Sequence, residues 1–170
     1  MTVFVALLRA VNVGGTGKLP MRDLVSICES AGYENVRTYI ASGNVVFSSS
    51  AKEAAVKAAL EKALESHAGK PVGVFVRTAD ELAAILADNP FPDAPPNKVV
   101  AVFLDRPPDA GTAEAVTGAK NEVVQLGTRE IYVHYPDGLG RSKLKIPTAA
   151  QGTARNMNTI AKLVAMAASA

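Results

Sequence analysis

The first 31 residues combine a buried strand, a glycine-rich loop and the start of a helix. Residues 3–8 form a continuous apolar run of strand length, which is the pattern of an inner strand buried on both faces. Three glycines follow, and Pro20 stands where a helix tolerates proline best, at its first position. Residues 21–31 then repeat apolar side chains on one helical face until a glycine ends the pattern. The segment therefore predicts a strand, a loop and a helix in direct succession.

The elements that follow complete an α+β unit. Residues 36–40 and 44–47 are rich in β-forming side chains and are separated by a serine-glycine turn, so they predict a hairpin. A capping-box pattern over residues 50–53 precedes an amphipathic helix, and the same pattern over residues 78–81 precedes a shorter one. With a strand at residues 71–77, the order is β-α-β-β-α-β. This is the order of the ferredoxin-like, or split βαβ, arrangement.

A proline-rich stretch, residues 89–97, separates two halves of the chain, because its four prolines exclude a helix and favour a stiff connection. The sequence predicts an α+β fold of two ferredoxin-like subdomains in tandem, residues 1–88 and 98–170, the second of which ends in a C-terminal helix. The elements predicted for the second half are strands at residues 98–104, 122–126 and 130–135, a turn and short helix at 108–118, a helical turn at 141–145 and a terminal helix from near Thr153.

Composition limits the partners and the compartment. The 170 residues are 48% hydrophobic, enough for a buried core, and the formal net charge of +2 is small, unlike the clustered basic charge of a dedicated duplex binder. The chain has one cysteine, Cys28, and two histidines, which excludes an internal disulfide and the ordinary zinc sites, and we expect no metal or cofactor. No apolar run reaches about 20 residues and no signal-peptide pattern is present, so we expect a cytoplasmic protein without a membrane partner. The oligomeric state stays open.

The glycine-rich loop resembles two nucleotide-binding motifs and fits neither. A Walker A loop ending at Lys18 requires glycine at position 12 and serine or threonine at position 19, where the chain has Asn12 and Leu19. A dinucleotide fingerprint requires a small residue where Pro20 stands. Two interpretations remain. The loop is a nest of backbone N–H groups for an anion, or its glycines only supply positive φ angles for a tight exit from the strand.

Three further segments are rich in hydrogen-bond donors and poor in acids. Residues 141–143 (Arg-Ser-Lys) follow a turn, and residues 42–44 (Ser-Gly-Asn) offer donors, although a hairpin turn explains them equally well. In a helix that begins near Thr153, one face carries donors while apolar residues occupy the opposite face. The donors on that face are Arg155, Asn158, Thr159 and Lys162.

The other reactive residue types give weaker signals. Cys28 falls on the apolar face of the first helix, which indicates a small core residue rather than a nucleophile. His134 falls on the less apolar face of its strand, and the sequence ties no carboxylate to it. His67 ends a helix, where a positive charge is favourable in any case. No catalytic triad, carboxylate pair or metal pattern can be specified, so enzymatic activity stays open.

Four ordered motifs resemble a known family. They are ALLRAVNVGGTGKLPM, VRTYIASGNVVF, YPDGLGRSKL and TARNMNTIAKL, and together they resemble the family catalogued as domain of unknown function 1697 over nearly the whole chain. The resemblance implies a small bacterial protein of two ferredoxin-like α+β units, with no established function. Met157 departs from the family pattern by replacing the usual tryptophan, and residues 145–152 are shorter than the helical insert often found there. The matching residues are Arg9, Asn12, Gly14, Gly15, Lys18, Tyr39, Ser42, Gly43, Asn44, Arg141, Ser142, Lys143, Thr153, Arg155, Asn156, Asn158, Thr159 and Lys162.

These segments lead to three hypotheses of function. The first is a cleft, formed by the glycine-rich loop and the C-terminal helix, that binds an anionic, phosphate-bearing small molecule or nucleotide. The second is a nucleic-acid-binding module, which the 5% aromatic content, the lack of tryptophan and the small net charge disfavour. The third is a protein-interaction module without catalysis. The predicted ligand-binding residues are Arg9, Asn12, Gly14, Gly15, Lys18, Ser42, Asn44, Arg141, Ser142, Lys143, Arg155, Asn156, Asn158, Thr159 and Lys162.

Overall fold

The computed structural model describes residues 1–12 and 18–169. Within them lie two four-stranded antiparallel sheets and four α-helices, the last at the C-terminus, which confirms the predicted α+β class. The chain divides into two compact units: the first comprises Met1–Ala83 and Lys162–Ala170, and the second comprises Ala84–Ala161. The proline-rich residues 89–97 belong to the second unit, and the subdomain limits given by the sequence stay a prediction.

The sheet of the first unit contains the strands expected from the β-α-β-β-α-β order. Its strand order is β2-β3-β1-β4 with every neighbour antiparallel, which is compatible with the split βαβ arrangement. The predicted hairpin is confirmed by the pairing of β2 with β3. β1 is buried from Phe4 to Leu8, as expected of an inner strand. The elements are β1 (Thr2–Leu8), α1 (Met21–Ser30), β2 (Glu34–Thr38), β3 (Asn44–Ser49), α2 (Glu53–Ala68), β4 (Val74–Thr78) and α3 (Ala79–Ala87).

The core of the first unit gathers apolar side chains from this sheet and from helices α1 and α2. Phe47 of β3 stacks on Tyr33 with the ring centroids 4.5 Å apart. Leu24 of α1 and Leu60 of α2 are fully buried in the same cluster. Cys28 also lies there, and burial raises the pKa of its thiol to about 12. A thiol that stays neutral is a poor nucleophile, which agrees with the prediction that Cys28 is a core residue.

The second unit repeats the strand order of the first. Its sheet has the order β6-β7-β5-β8, again with every neighbour antiparallel. Val100 and Val102 of β5 pack with Ile131 and Val133 of β7 in its core. The elements of the second half of the chain are β5 (Val99–Phe103), β6 (Val123–Leu126), β7 (Glu130–His134), β8 (Thr153–Asn156) and α4 (Met157–Ala168), with short 3₁₀ helices at Pro96–Lys98, Leu139–Arg141 and Pro147–Gln151; α4 passes from the second unit into the first at Lys162.

Of the turn and short helix predicted at residues 108–118 only the turn is found, and the helical turn predicted at residues 141–145 is wrong. Residues 110–115 form turns, and their backbone bonds, such as Thr112 N–H to Asp109 O at 3.0 Å, do not continue into a helix. Glycine and threonine, both poor helix formers, are frequent in this stretch. Residues 142–145 are also not helical, because Lys145 exchanges backbone hydrogen bonds with Thr117 at 2.8 and 2.9 Å. A residue bound in that way has to be extended.

The predicted start of the terminal helix, near Thr153, is also wrong. Thr153–Asn156 form strand β8, which pairs antiparallel with β5, and helix α4 begins at Met157. Asn156 caps that helix, since its side-chain oxygen accepts a hydrogen bond from the backbone N–H of Thr159 at 2.9 Å. The helical face that the sequence predicted for Arg155 therefore does not exist at that residue.

Of the two predicted capping boxes, only the one at residues 78–81 forms its hydrogen bonds. In the second box, Thr78 Oγ1 accepts from the Glu81 N–H at 3.1 Å and Glu81 Oε1 accepts from the Thr78 N–H at 2.8 Å. In the first, Lys52 is the N-cap residue and has no side-chain cap bond.

We expect Thr78→Ala to lower the free energy of unfolding by about 1 kcal/mol, because it removes the cap bond to the Glu81 N–H. Ser50→Ala serves as the control and should change it by less than about 0.5 kcal/mol in urea unfolding. If the two variants lose the same unfolding free energy, Thr78 does not cap α3 through its side chain.

Candidate functional site

A cavity of about 260 Å³ in the first unit contains two of the predicted ligand-binding residues, Arg9 and Lys18. We name it the Arg9 cavity. Arg9 directly follows β1, and its backbone N–H bonds the carbonyl oxygen of Gly73 at 2.9 Å, which places the approach to β4 beside the exit of β1. The end of α2 supplies further lining. The lining residues are Arg9, Ala10, Val11, Lys18, Leu19, Leu64, His67, Ala68, Lys70, Pro71, Val72 and Gly73.

The Arg9 cavity has a cationic rim and an apolar floor. Arg9, Lys18 and Lys70 are exposed, and none of the described residues that line the cavity is acidic. Leu19 and Leu64 are buried beneath them. His67 Nε2 lies 3.7 Å from the carboxylate of Asp23, a partner for the histidine when it is protonated. Such a site attracts an anion and offers apolar contact to the body of that anion.

Asn12 fixes the backbone next to this cavity. Its Nδ2 donates to the carbonyl oxygens of Leu19 and Ala41, each at 2.8 Å, and its Oδ1 accepts from the N–H of Leu19 at 2.7 Å. These three bonds join the end of the glycine-rich loop to the β2–β3 turn, so the structure gives Asn12 a positioning role. Gly14 and Gly15, which were predicted to bind the ligand, lie outside the described residues.

Ser42 and Asn44 are held within the β2–β3 turn. Asn44 is fully buried, and its Nδ2 donates to the carbonyl oxygen of Tyr39 at 2.9 Å and to Ser42 Oγ at 3.0 Å. These bonds stabilise the turn, which favours the conformational interpretation of the Ser-Gly-Asn segment. Lys162, near the end of the chain, lies with its Nζ 6.0 Å from the ring centroid of Tyr39, within reach of a cation–π contact.

Arg141, Ser142 and Lys143 line a separate concavity within the second unit, with a volume of about 520 Å³. We name it the Arg141 cavity. The Ser142 hydroxyl donates to the carboxylate of Glu122, whose pKa falls to about 2 mainly because of this bond, with further donation from the backbone N–H groups of Lys120 and Asn121. The remaining lining residues are Gly118, Lys120, Asn121, Glu122, Tyr135, Asp137 and Gly138.

The residues of the fourth motif occupy different environments. Arg155 of β8 is only 7% exposed, and its Nη1 donates to Thr153 Oγ1 at 2.8 Å and to the Ala154 carbonyl oxygen at 2.9 Å. Burial lowers the pKa of the Arg155 guanidinium to about 10. Thr159 is buried and Asn158 is exposed. The structure therefore does not bring Arg155, Asn158, Thr159 and Lys162 onto one helical face, because Arg155 precedes the helix and Thr159 points away from solvent.

Comparison with known proteins identifies the family. The family model described as "Protein of unknown function (DUF1697)" matches residues 1–132. The chain belongs to this family. A solved structure, that of the conserved bacterial protein SP0830 from Streptococcus pneumoniae, matches with a TM-score of 0.82 and 26% identity over 98% of each chain. No curated protein matches the chain. Along the described residues, no helix is both long and apolar enough to cross a membrane, and no cluster of three or more metal-ligating side chains occurs.

Sequence reasoning missed several cavity residues of this DUF1697 protein. Lys70 reaches the Arg9 cavity because the chain reverses after α2 at Gly69, whose φ of +75° is left-handed. Lys120 and Asp137 reach the Arg141 cavity from loops on either side of the β6–β7 hairpin. The family match ends at residue 132, before the Arg-Ser-Lys segment, so only structure connects that segment with residues 118–122. Single charged residues in loops carry no periodic signal that could have identified them.

Proposed function

We propose that the first unit binds an anionic, phosphate-bearing small molecule or nucleotide in the Arg9 cavity. The observation that carries the proposal is the cationic rim of Arg9, Lys18 and Lys70 around a cavity whose described lining has no acidic side chain. Cations that converge on a concave surface concentrate field lines there and raise the local concentration of anions. Phosphate is favoured because arginine binds two of its oxygens at once and lysine adds a point charge.

The apolar floor sets a further requirement on the ligand. Pro71 and the half-buried Val72 keep apolar surface in the lining, and they would gain from covering by an apolar or aromatic body, at roughly 25 cal/mol for each Å² removed from water. The cavity of about 260 Å³ lies just below the usual range for small-molecule sites, so it suits a phosphate and a body of modest size. The proposal needs residues of the first unit alone. That the Arg-Ser-Lys segment contacts the same ligand stays a prediction from the sequence.

Lys70→Gln tests the proposal most directly, because Lys70 is exposed and forms no hydrogen bond or ion pair with a described residue, so its loss leaves the fold intact. Calorimetry with a panel of nucleotides and of small phosphate esters other than sugar phosphates should find a ligand for the wild type. The variant should weaken its binding about tenfold, since a charge-assisted bond of about 1.5 kcal/mol is lost.

The matched control is Lys62→Gln, on the exposed surface of α2 and outside the cavity lining. It removes the same charge from the same unit and should leave the affinity within about twofold, because distant surface charges are screened by salt. The proposal fails if no compound in the panel binds, or if the two variants weaken binding equally.

A further inference from the structure

The walls of the Arg141 cavity are tied together at three places. Thr117 and Lys145 exchange backbone hydrogen bonds, which joins the segment before the cavity to the segment after it. The Ser142 hydroxyl donates to Glu122, and Asn121 Nδ2 donates to Asp137 Oδ2 at 3.1 Å. These links fix residues 118–122 against residues 137–143, so the cavity is preformed and a ligand that enters it has little backbone to order.

Three cations line this cavity without ion-pair partners among the described residues. They are Lys120, Arg141 and Lys143. The two carboxylates of the lining differ from each other. Both oxygens of Glu122 accept hydrogen bonds, one from the N–H groups of Lys120 and Asn121 and the other from Ser142. Asp137 is exposed and accepts one side-chain hydrogen bond through Oδ2, so its second oxygen remains available to a donor.

The bonding of Ser142 argues for binding rather than catalysis at this place. Its hydroxyl proton is committed to Glu122, and its oxygen accepts from the N–H of Leu144 at 3.1 Å. Glu122 is ionised at neutral pH, but with a pKa of about 2 it is too weak a base to activate the hydroxyl. Ser142 and Glu122 therefore act as a brace that positions Arg141 and Lys143 on either side of them.

We propose that the Arg141 cavity binds a phosphorylated polyol, with the phosphate on Arg141 and Lys143 and a hydroxyl group donating to Asp137. A dianionic phosphate matches the unpaired cations, and the second oxygen of Asp137 can accept a hydrogen bond from a hydroxyl group close to that phosphate. Sugar phosphates combine both groups on one small body. The cavity of about 520 Å³ has room for such a molecule. A nucleobase is not required, and the lining offers one aromatic side chain, the half-buried Tyr135.

Isothermal calorimetry with ribose 5-phosphate tests this site in the full-length protein. Arg141→Gln should weaken binding about tenfold or more, because it removes a bidentate phosphate contact from an exposed residue. Lys145→Gln is the matched control, an exposed lysine four residues along the same segment that does not line the cavity, and it should leave the affinity unchanged. Lys70→Gln, in the Arg9 cavity, should also leave it unchanged, which separates this site from the one proposed for the first unit.

Asp137→Asn tests recognition of the hydroxyl group. An amide in this position accepts more weakly, so the variant should bind ribose 5-phosphate about fivefold more weakly while its affinity for inorganic phosphate stays equal or rises. The proposal is overturned if ribose 5-phosphate does not bind at millimolar concentration, if Lys145→Gln or Lys70→Gln weakens binding as much as Arg141→Gln, or if inorganic phosphate binds the wild type as tightly as the sugar phosphate. Circular dichroism of each variant confirms that the chain is folded.

Discussion

Replacing Gly43 with alanine should lower the free energy of unfolding of the first unit by about 3 kcal/mol or more. Gly43 has a φ of +92°, and a Cβ added there would lie 2.6 Å from Cγ2 of Val11 and 2.9 Å from Cβ of Leu8. Both neighbours are buried and cannot turn away. The carbonyl oxygen of Gly43 also accepts the N–H of Leu8 at 2.8 Å, so the backbone cannot shift without breaking that bond. Urea unfolding measures the loss.

Gly32→Ala separates the two causes of this effect. Gly32 has nearly the same angle, a φ of +88°, but a Cβ added there would meet nothing within 4 Å. Its replacement should therefore cost about 1 kcal/mol, the penalty of a left-handed conformation alone. The difference between the two losses of unfolding free energy measures the overlap of the added Cβ at residue 43 with Val11 and Leu8. If the two replacements cost the same, the close packing of the β2–β3 turn against the end of β1 is not a source of stability.

Elements that follow from the pattern of neighbouring residues in the sequence were predicted correctly. The apolar run at the start of the chain is β1, and the serine-glycine turn separates β2 from β3. The two capping boxes show the limit of this reasoning, because the same four-residue pattern forms its bonds at Thr78 and not at Ser50. The strand before Thr78 runs directly into the helix, whereas an extended Lys52 intervenes after Ser50 and takes the cap position.

The failure at Arg155 has a different cause. Residues 153–156 satisfy a helical period, but they also alternate, with Thr153 and Arg155 buried and Ala154 exposed. Only pairing with β5, some fifty residues earlier in the chain, decides between the two patterns. Pairing over such a distance leaves no local signal, which is why the donor face of the terminal helix was wrongly extended to Arg155.

The candidate sites were only partly predicted, again because contacts between distant residues leave no local signal in the sequence. Arg9 and Lys18 flank one loop, so the sequence grouped them, and they line one cavity. Lys70 joins them only because β4 pairs with β1 and brings the end of α2 to the exit of that strand. In the second unit the Arg-Ser-Lys segment was predicted, but Glu122, which braces it, was predicted only as the first residue of a strand and was given no role in a site; it directly precedes β6. The donors could be identified from their residue types, whereas the residues that lie beside them in each cavity are known only from the fold.

Gly118→Ala should both destabilise the second unit and abolish binding in the Arg141 cavity. Gly118 has a φ of +75°, and a Cβ added there would overlap the carbonyl oxygen of Lys143. That oxygen belongs to the backbone beside the Thr117–Lys145 bridge, so it cannot move without breaking the bridge. We expect a loss of about 3 kcal/mol or more in urea unfolding, from backbone strain and overlap together. Ribose 5-phosphate should bind too weakly to detect, because Lys143 and the Ser142 brace are displaced.

The control for this variant is Gly138→Ala, in the opposite wall of the same cavity. Gly138 has a φ of +84° and a ψ of 159°, a conformation essentially restricted to glycine, but open space where its Cβ would be, so its replacement should cost about 2 kcal/mol from backbone strain alone and leave the cations of the cavity in place. Binding of ribose 5-phosphate should then persist. If Gly118→Ala unfolds at the same urea concentration as Gly138→Ala, the close approach of residues 118 and 143 does not hold the cavity together. If it is destabilised as expected and still binds the sugar phosphate, the ligand lies elsewhere on the chain.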